Sequence, residues 1–263
     1  MDILNDIVIR THERIEAKKR ILPLDRIVKM AERCGVSGTF PFERALKKND
    51  IAFICEIKKA SPSKGIIADD LSHLRIAEEY QAAGAAAVSV LTEPYFFHGS
   101  DDHLKDIADA VSIPILRKDF VIDEYMIYEA KLMGADAVLL ICAVLDGRRL
   151  ADYVKVAHKL GLSVLAEAHN ENEVLSAVNA GVRIIGVNNR DLRTFEIDIG
   201  TSGRLRPLVP KDRIFVSESG IRTPEDVNAL RKIGADAVLI GETLMRSPDK
   251  TKKLRELRGD AVG

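Results

Sequence analysis

Four stretches of the chain repeat one pattern, a glycine followed by a short apolar run that ends in polar groups. They are AGAAAVSVLTE (residues 83–93), MGADAVLLICA (133–143), AGVRIIGVNNR (180–190) and IGADAVLIGET (233–243). Helical periodicity precedes each glycine, so Gly84, Gly134, Gly181 and Gly234 sit where a helix ends in a left-handed residue. The runs are too short for helices and show no alternation, as expected of strands buried on both faces of a parallel sheet. The glycines recur about every fifty residues, twice the span of one compact βα unit. Four further apolar runs fill the gaps: IAFICEIK (51–58), IPILRKD (113–119), LSVLAEA (162–168) and RIFVSES (213–219). Helical patterns such as DEYMIYEAKLMG (123–134) and TPEDVNALRKIG (223–234) separate the runs. The second of these opens on a hydroxyl N-cap, a proline at the first helical position and two acids.

Eight alternating β and α units in about 200 residues predict an α/β protein closed into a (β/α)8 TIM barrel. A doubly wound open sheet is the rival arrangement. It needs fewer strands and usually a glycine-rich phosphate turn after the first, and no GxGxxG occurs. Upstream, Ile3, Leu4, Ile7, Val8 and Ile15 fall at helical spacing, which predicts a surface helix packed on the body. We read one domain over residues 1–263, with an N-terminal helical extension over 1–48 and the barrel over 49–263.

Composition narrows the function. Of 263 residues, 46% are hydrophobic and 30% charged, with a formal net charge of −1. The basic excess of a nucleic-acid binder is missing. The N-terminus has no apolar targeting core, and no apolar run reaches membrane-spanning length. Cys34, Cys55 and Cys142 are too scattered for a zinc site or a disulfide framework, which points to a reducing cytoplasm.

The chemistry lies where the runs end. Active sites of such barrels are built at the C-terminal strand ends. In order, these carry Glu56 and Lys58, Thr92 and Glu93, Lys118 and Asp119, Cys142, Glu167, Asn188 to Arg190, Glu218 and Ser219, then Gly241 and Glu242. Loop solvation alone would put polar residues beyond the runs, whereas Glu56, Lys58, Glu167 and Glu218 abut or interrupt them. Alternation sets Glu56 and Lys58 on one face of the first strand, with Lys59 pointing elsewhere. Charges at a barrel mouth must pair, so two lysines and three glutamates there predict an acid–base network. Gly220 and Gly241 follow the seventh and eighth strands, where backbone N–H groups commonly seat a phosphate, and Ser61, Pro62 and Ser63 could add to that seat. Plain turn geometry is the simpler reading of either glycine alone.

These motifs resemble the indole-3-glycerol phosphate synthase family. EIKKASPSKG (56–65) carries the likeness, supported by FFHGS (96–100), LRKDF (116–120), IYEAKLMGADAVLLI (127–141), IIGVNNRDLRTFEID (184–198) and VSESGIRTPEDV (216–227). The resemblance covers essentially the whole chain. It implies a barrel with extra N-terminal helices and no metal or organic cofactor. The implied reaction is decarboxylating, dehydrating ring closure of 1-(o-carboxyphenylamino)-1-deoxyribulose 5-phosphate to indole-3-glycerol phosphate, a carbon–carbon lyase step of tryptophan biosynthesis.

By the same resemblance, Lys118 is the general acid and Lys58 a substrate-contacting lysine, though the motif does not divide the proton transfers between them. Glu167 is the acid–base carboxylate of the dehydration, and Glu56 orients the lysines and the substrate amine. Asn188 is an amide beside the reacting portion, Glu218 and Ser219 orient the ribulose part, and Arg190 holds carboxylates. Phe97, Phe120 and Leu139 are candidate apolar walls. Ser61, Gly220, Gly241 and Glu242 complete the expected substrate contacts. The phosphosugar–anthranilate substrate is the expected partner, with no nucleic acid or membrane, and the chain is expected to act in the cytoplasm as a monomer or weak homodimer.

Departures from the family pattern are His98 where Gln or Asn is common, Met126 in place of Gln, and Glu242 where a hydroxyl would serve the phosphate. The Glu242 charge is expected to point away. His98 and His103, five apart, are poorly spaced as ligands on one helix. Small Ala166 and Ala168 flank Glu167 where larger aliphatics are common, and a pocket loosened by them would unsettle the position of Glu167. A Schiff-base aldolase on the same frame remains a competing enzyme reading, separable by borohydride trapping on Lys58 or Lys118. A non-catalytic phosphosugar-binding barrel is the reading outside enzymology.

Overall fold

The computed structural model describes residues 3–36, 38–61, 65, 66, 72–191 and 194–260. Eight parallel strands close on themselves: β1 (Ala52–Ile57), β2 (Ala87–Leu91), β3 (Ile115–Lys118), β4 (Ala137–Ile141), β5 (Ser163–Ala168), β6 (Ile184–Asn188), β7 (Ile214–Glu218) and β8 (Ala237–Ile240). Each strand pairs with its sequence neighbours. β1 closes the ring, setting Ile54 against Ala87 of β2 and Cys55 against Ile240 of β8. The (β/α)8 reading therefore holds, and every one of the eight apolar runs contains a strand. Short segments Ala60–Ser61 and Gly65–Ile66 pair as an antiparallel ladder after β1. Pro62, Ser63 and, in the DLRTF stretch, Leu192 and Arg193 lie outside the described residues, as do the last three of the chain.

Three helices precede the barrel: α1 (Ile3–Ile21), α2 (Leu24–Arg33) and α3 (Pro41–Leu46). The barrel helices are α4 (His73–Ala82), α5 (Asp101–Ala110), α6 (Tyr125–Leu132), α7 (Gly147–Lys159), α8 (Glu171–Asn179), α9 (Gly200–Leu205) and α10 (Pro224–Lys232), and after β8 come α11 (Glu242–Met245) and α12 (Lys250–Arg258). The four repeat glycines have φ between 76° and 84°, which suits the left-handed position that ends the preceding helix. Thr223 caps α10 in a reciprocal box with Asp226. The helix after β3 starts at Tyr125, because the Asp123 carboxylate takes the Tyr125 N–H in a turn before it.

Two apolar layers follow from strand alternation. Val88, Val138, Val164, Ala166, Ala168 and Phe215 belong to the outer layer, under the helices. Ile54, Leu116, Leu139, Leu165, Ile184, Val216 and Leu239 fill the interior, joined by Phe42 and Leu46 of α3. Ala166 and Ala168 thus face away from the interior, so their small size does not loosen the pocket around Glu167. The outer layer also holds a buried cation. Arg117 of β3 is 0% exposed and donates to Thr92 Oγ1 (3.1 Å), the Met126 carbonyl (2.7 Å) and Asp101 (3.2 Å), with Glu129 and Asp119 close by. Five partners offset the desolvation of the guanidinium. Salt bridges tie α1 to this region. Arg14 grips Asp119 with both contacts at 2.9 Å, and Lys18 bridges Asp101 (2.6 Å) and Glu129 (2.7 Å).

Candidate active site

On five of the eight strands, β1, β3, β5, β6 and β7, the inward face is apolar along most of its length and polar at its C-terminal end. Ala52 and Ile54 lead to Glu56, Leu116 to Lys118, Leu165 to Glu167, Ile184 and Gly186 to Asn188, and Ile214 and Val216 to Glu218. Since residues i and i+2 share a face, the apolar interior and the polar rim are one continuous pattern. A cavity of about 370 Å³ opens at that rim. All fifteen expected site residues line it: Glu56, Lys58, Ser61, Phe97, Lys118, Phe120, Leu139, Glu167, Asn188, Arg190, Glu218, Ser219, Gly220, Gly241 and Glu242.

Two ion pairs organise the floor. Lys58 Nζ is 2.6 Å from Glu56 Oε1, and Lys118 Nζ is 3.5 Å from Glu167 Oε2. Burial works against the Lys118 charge, but Glu167, Glu56 and Glu218 outweigh it and raise its pKa above the ordinary lysine value. Burial also opposes ionisation of Glu167 and Glu56. For Glu167, Lys118, His169 and an Asn188 side-chain hydrogen bond win, and for Glu56 the two lysines win, so both pKa values fall. Glu218 goes the other way. Burial, then the nearby Glu167 carboxylate, push its pKa up to about 8, and its Oε1 has no hydrogen-bond partner among the described residues. The floor of the cavity therefore brings Lys58 and Lys118 together with two ionised carboxylates, Glu56 and Glu167, and a Glu218 carboxyl that favours its protonated form.

Glycine makes room for two of these groups. A Cβ on Gly186 would overlap Glu218 Oε1, and a Cβ on Gly241 would overlap Glu56 Oε1. Gly241 was expected beside a phosphate, yet its close neighbour here is a carboxylate from β1. Gly186 was not singled out, because one glycine inside an apolar strand gives no hint of which side chain fills its place.

One wall is aromatic. The Phe97 and Phe120 rings lie 5.9 Å apart at 37°. Phe97 is placed by Glu93, whose carboxylate accepts the Tyr95, Phe96 and Phe97 N–H groups at 2.7–3.0 Å. Leu139, Phe195 and Ile197 extend the apolar lining. Toward the ends of β7 and β8, the lining adds Arg222, Arg246 and Lys253, none of them anticipated. Glu242 lines the cavity but is compensated, with Oε1 3.1 Å from Arg246 and Oε2 3.8 Å from Arg190.

Several polar strand ends support the site without lining it. Thr92 donates to Asp119 (2.7 Å), and Asn189 donates to Ser217 and to the Glu218 and Ser219 carbonyls. Cys142 is buried, its thiol pushed up to about 12, first by burial. His98 lies in the loop after β2 with φ 52°, and Met126 is buried with its carbonyl on Arg117. Among the described residues, no group of three or more His, Cys, Asp or Glu side chains is arranged to hold a metal ion.

The family model described as indole-3-glycerol phosphate synthase matches residues 4–257. The chain belongs to this family. It is an enzyme of tryptophan biosynthesis, a decarboxylating carbon–carbon lyase. Among relatives named indole-3-glycerol phosphate synthase, the protein of Ruminiclostridium cellulolyticum is 58% identical over 89% of this chain and 90% of its own length. That of Lachnoclostridium phytofermentans is 48% identical over the same shares. Solved structures reproduce the fold at low identity. The 3-hexulose-6-phosphate synthase of Salmonella typhimurium gives a TM-score of 0.65 at 14% identity, covering 79% of this chain and 96% of its own. A chain of the Pyrococcus furiosus tryptophan synthase complex gives 0.61 at 16%, covering 80% and 98%.

Proposed function

We propose that this cavity binds 1-(o-carboxyphenylamino)-1-deoxyribulose 5-phosphate and closes its pyrrole ring, releasing carbon dioxide and water and leaving indole-3-glycerol phosphate. The observation that carries the reading is Lys118, an ammonium held among three carboxyl groups beside an aromatic wall.

The ring carbon bearing the carboxylate attacks the ribulose ketone, and the carbonyl oxygen takes the electron pair. Lys118 neutralises that alkoxide by charge and by giving it a proton. Loss of carbon dioxide then returns the bond electrons to the ring and restores its aromaticity. The new hydroxyl departs as water with a proton from the cavity, and Glu167, held ionised, takes the proton whose loss completes the indole. Lys58, held by Glu56 at 2.6 Å, donates the proton that leaves with the hydroxyl and is reprotonated from solvent. The Glu218 carboxylic acid donates to a ribulose oxygen, which suits a buried group with an oxygen unpartnered. Phe97, Phe120 and Leu139 desolvate the anthranilate ring. Ser219, Gly220 and Gly241, with Arg222, Arg246 and Lys253, serve the phosphate end, and Arg190 serves the substrate carboxylate.

We propose that the chain works as a monomer or weak homodimer in the cytoplasm. Free Cys34, Cys55 and Cys142 fit a reducing compartment. Among the described residues, no helix is long and apolar enough to cross a membrane. The test is incubation of the purified chain with the substrate. Indole fluorescence should appear with one carbon dioxide released per indole formed, and fluorescence-silent substrate at long times contradicts the reading.

A further inference from the structure

His169 continues the inward alternation of β5 past Glu167, and its ring bridges two carboxylates. Nε2 is 3.3 Å from Glu167 Oε1, a charge contact off hydrogen-bond geometry, and Nδ1 is hydrogen-bonded to Glu173 Oε2 at 3.0 Å. Glu173 is itself fixed. Its Oε2 accepts the His169 backbone N–H (2.8 Å), its Oε1 accepts from Asn170 Nδ2 (2.6 Å), and its own N–H donates to Asn170 Oδ1 (3.0 Å). That last contact is the N-cap of α8. On the far side of Glu167, Oε2 faces Lys118. The carboxylate is thus held from both sides, by an ammonium across the cavity and by an imidazole anchored on a helix cap.

A neutral imidazole has one N–H to offer, whereas the imidazolium bonds Glu173 through Nδ1–H and still turns a second N–H and its positive charge toward Glu167. Burial opposes that charge, but Glu167 and Glu173 outweigh it and raise the His169 pKa to about 10. Other titratable groups nearby are Glu218 from β7, Lys118 from β3 across Glu167, and the Cys142 thiol beside β4, uncharged at neutral pH. The last torsion of a glutamate is broad, so an unclamped Glu167 would present either oxygen at many angles.

We propose that His169 is a positioning residue, which carries the fixed geometry of the α8 cap to Glu167 and sets the oxygen that meets Lys118 and the substrate. His169 does not line the cavity, so it acts through Glu167. The inference rests on the assignment of Glu167 to proton transfer made above.

The test compares kcat, KM and the pH profile of full-length variants. His169→Phe keeps the ring volume and should lower kcat about 10- to 100-fold, the scale on which partners that orient metal-ligating side chains act. KM should change less than about threefold, since the substrate-contacting groups remain. The acid limb of kcat should move to higher pH, because Glu167 loses a neighbouring cation. Glu173→Gln should act in the same direction more weakly. In a Glu167→Gln background, His169→Phe should add little further loss, as expected for residues acting as one unit. If Glu167→Gln is severe while both outer variants keep wild-type kcat and acid limb, the inference alone is overturned. Losses that multiply in the double variant overturn it as well. If Glu167→Gln is harmless, the Glu167 assignment fails and the inference with it. Should His169→Phe not fold, Glu173→Gln decides by the same two readouts.

Discussion

Lys118 on β3 and Glu167 on β5, 49 positions apart in the chain, meet across β4 with Nζ 3.5 Å from Oε2. Neither strand pairs with the other. The contact exists because both side chains point into the closed interior, where strands one apart bring their rim residues within reach. An acid–base pair built this way sits on rigid strands rather than on loops, which is what proton transfer at fixed geometry requires.

The Glu218 carboxyl gives a pH signature. Its pKa of about 8 in the folded chain lies above the ordinary value of 4.5, so the native state holds an extra proton between those limits. Its contribution to stability is fully present below pH 4.5 and is lost as pH rises through 8. Glu218→Gln removes the dependence. Calorimetry across pH 4.5 to 9 should show the wild-type Tm falling relative to the variant as pH rises, and parallel curves would contradict the buried, protonated carboxyl.

Gly241 and Gly203 make a controlled pair. Gly241→Ala drives a Cβ into Glu56 Oε1, so the carboxylate must swing off Lys58. Stability should fall by about 1–3 kcal/mol, the usual cost of overpacking, while kcat falls by about tenfold or more as the ion pair is displaced. Gly203 in α9 has no atom within 4 Å of a built Cβ. Gly203→Ala should leave kcat unchanged and add about 0.5–1 kcal/mol, from helix propensity and a stiffer unfolded chain.

Arg117 tests the link between the N-terminal helix and the barrel. Arg117→Met leaves Asp101, Asp119 and Glu129 to Arg14 and Lys18 of α1 as their remaining cations. Because those two cations remain, the loss should be smaller than the roughly 3–5 kcal/mol of an uncompensated buried charge, at about 1–3 kcal/mol. Denaturant unfolding should report that loss, and a change below about 0.5 kcal/mol, the range of ordinary surface substitutions, would show that the network is not coupled to folding.

The barrel was legible because strands buried on both faces read as unbroken apolar runs, and the glycines that end the helices punctuate them. Glu56 and Lys58 were legible by the same alternation, two residues apart on one face. That rule also puts Ala166 and Ala168 on the outer face, and it puts His169 on the Glu167 side. His169 stayed hidden because its meaning depends on Glu173, which reads as an ordinary first-turn acid of a helix. Arg14 and Asp119 are 105 residues apart, and no local pattern joins them. Arg246 and Lys253 come from α11 and α12, whose approach to the cavity depends on how the chain turns after β8. The two glycines under Glu56 and Glu218 are legible only once the opposing carboxylates are in place.

The most direct measurement is indole fluorescence with saturating substrate, wild type against Lys118→Ala, with both proteins checked for the same circular dichroism. Lys118→Ala should lower kcat by about a thousandfold, within the range for loss of a general acid that also stabilises an oxyanion. Turnover of a folded Lys118→Ala at the wild-type rate would contradict the account at its centre.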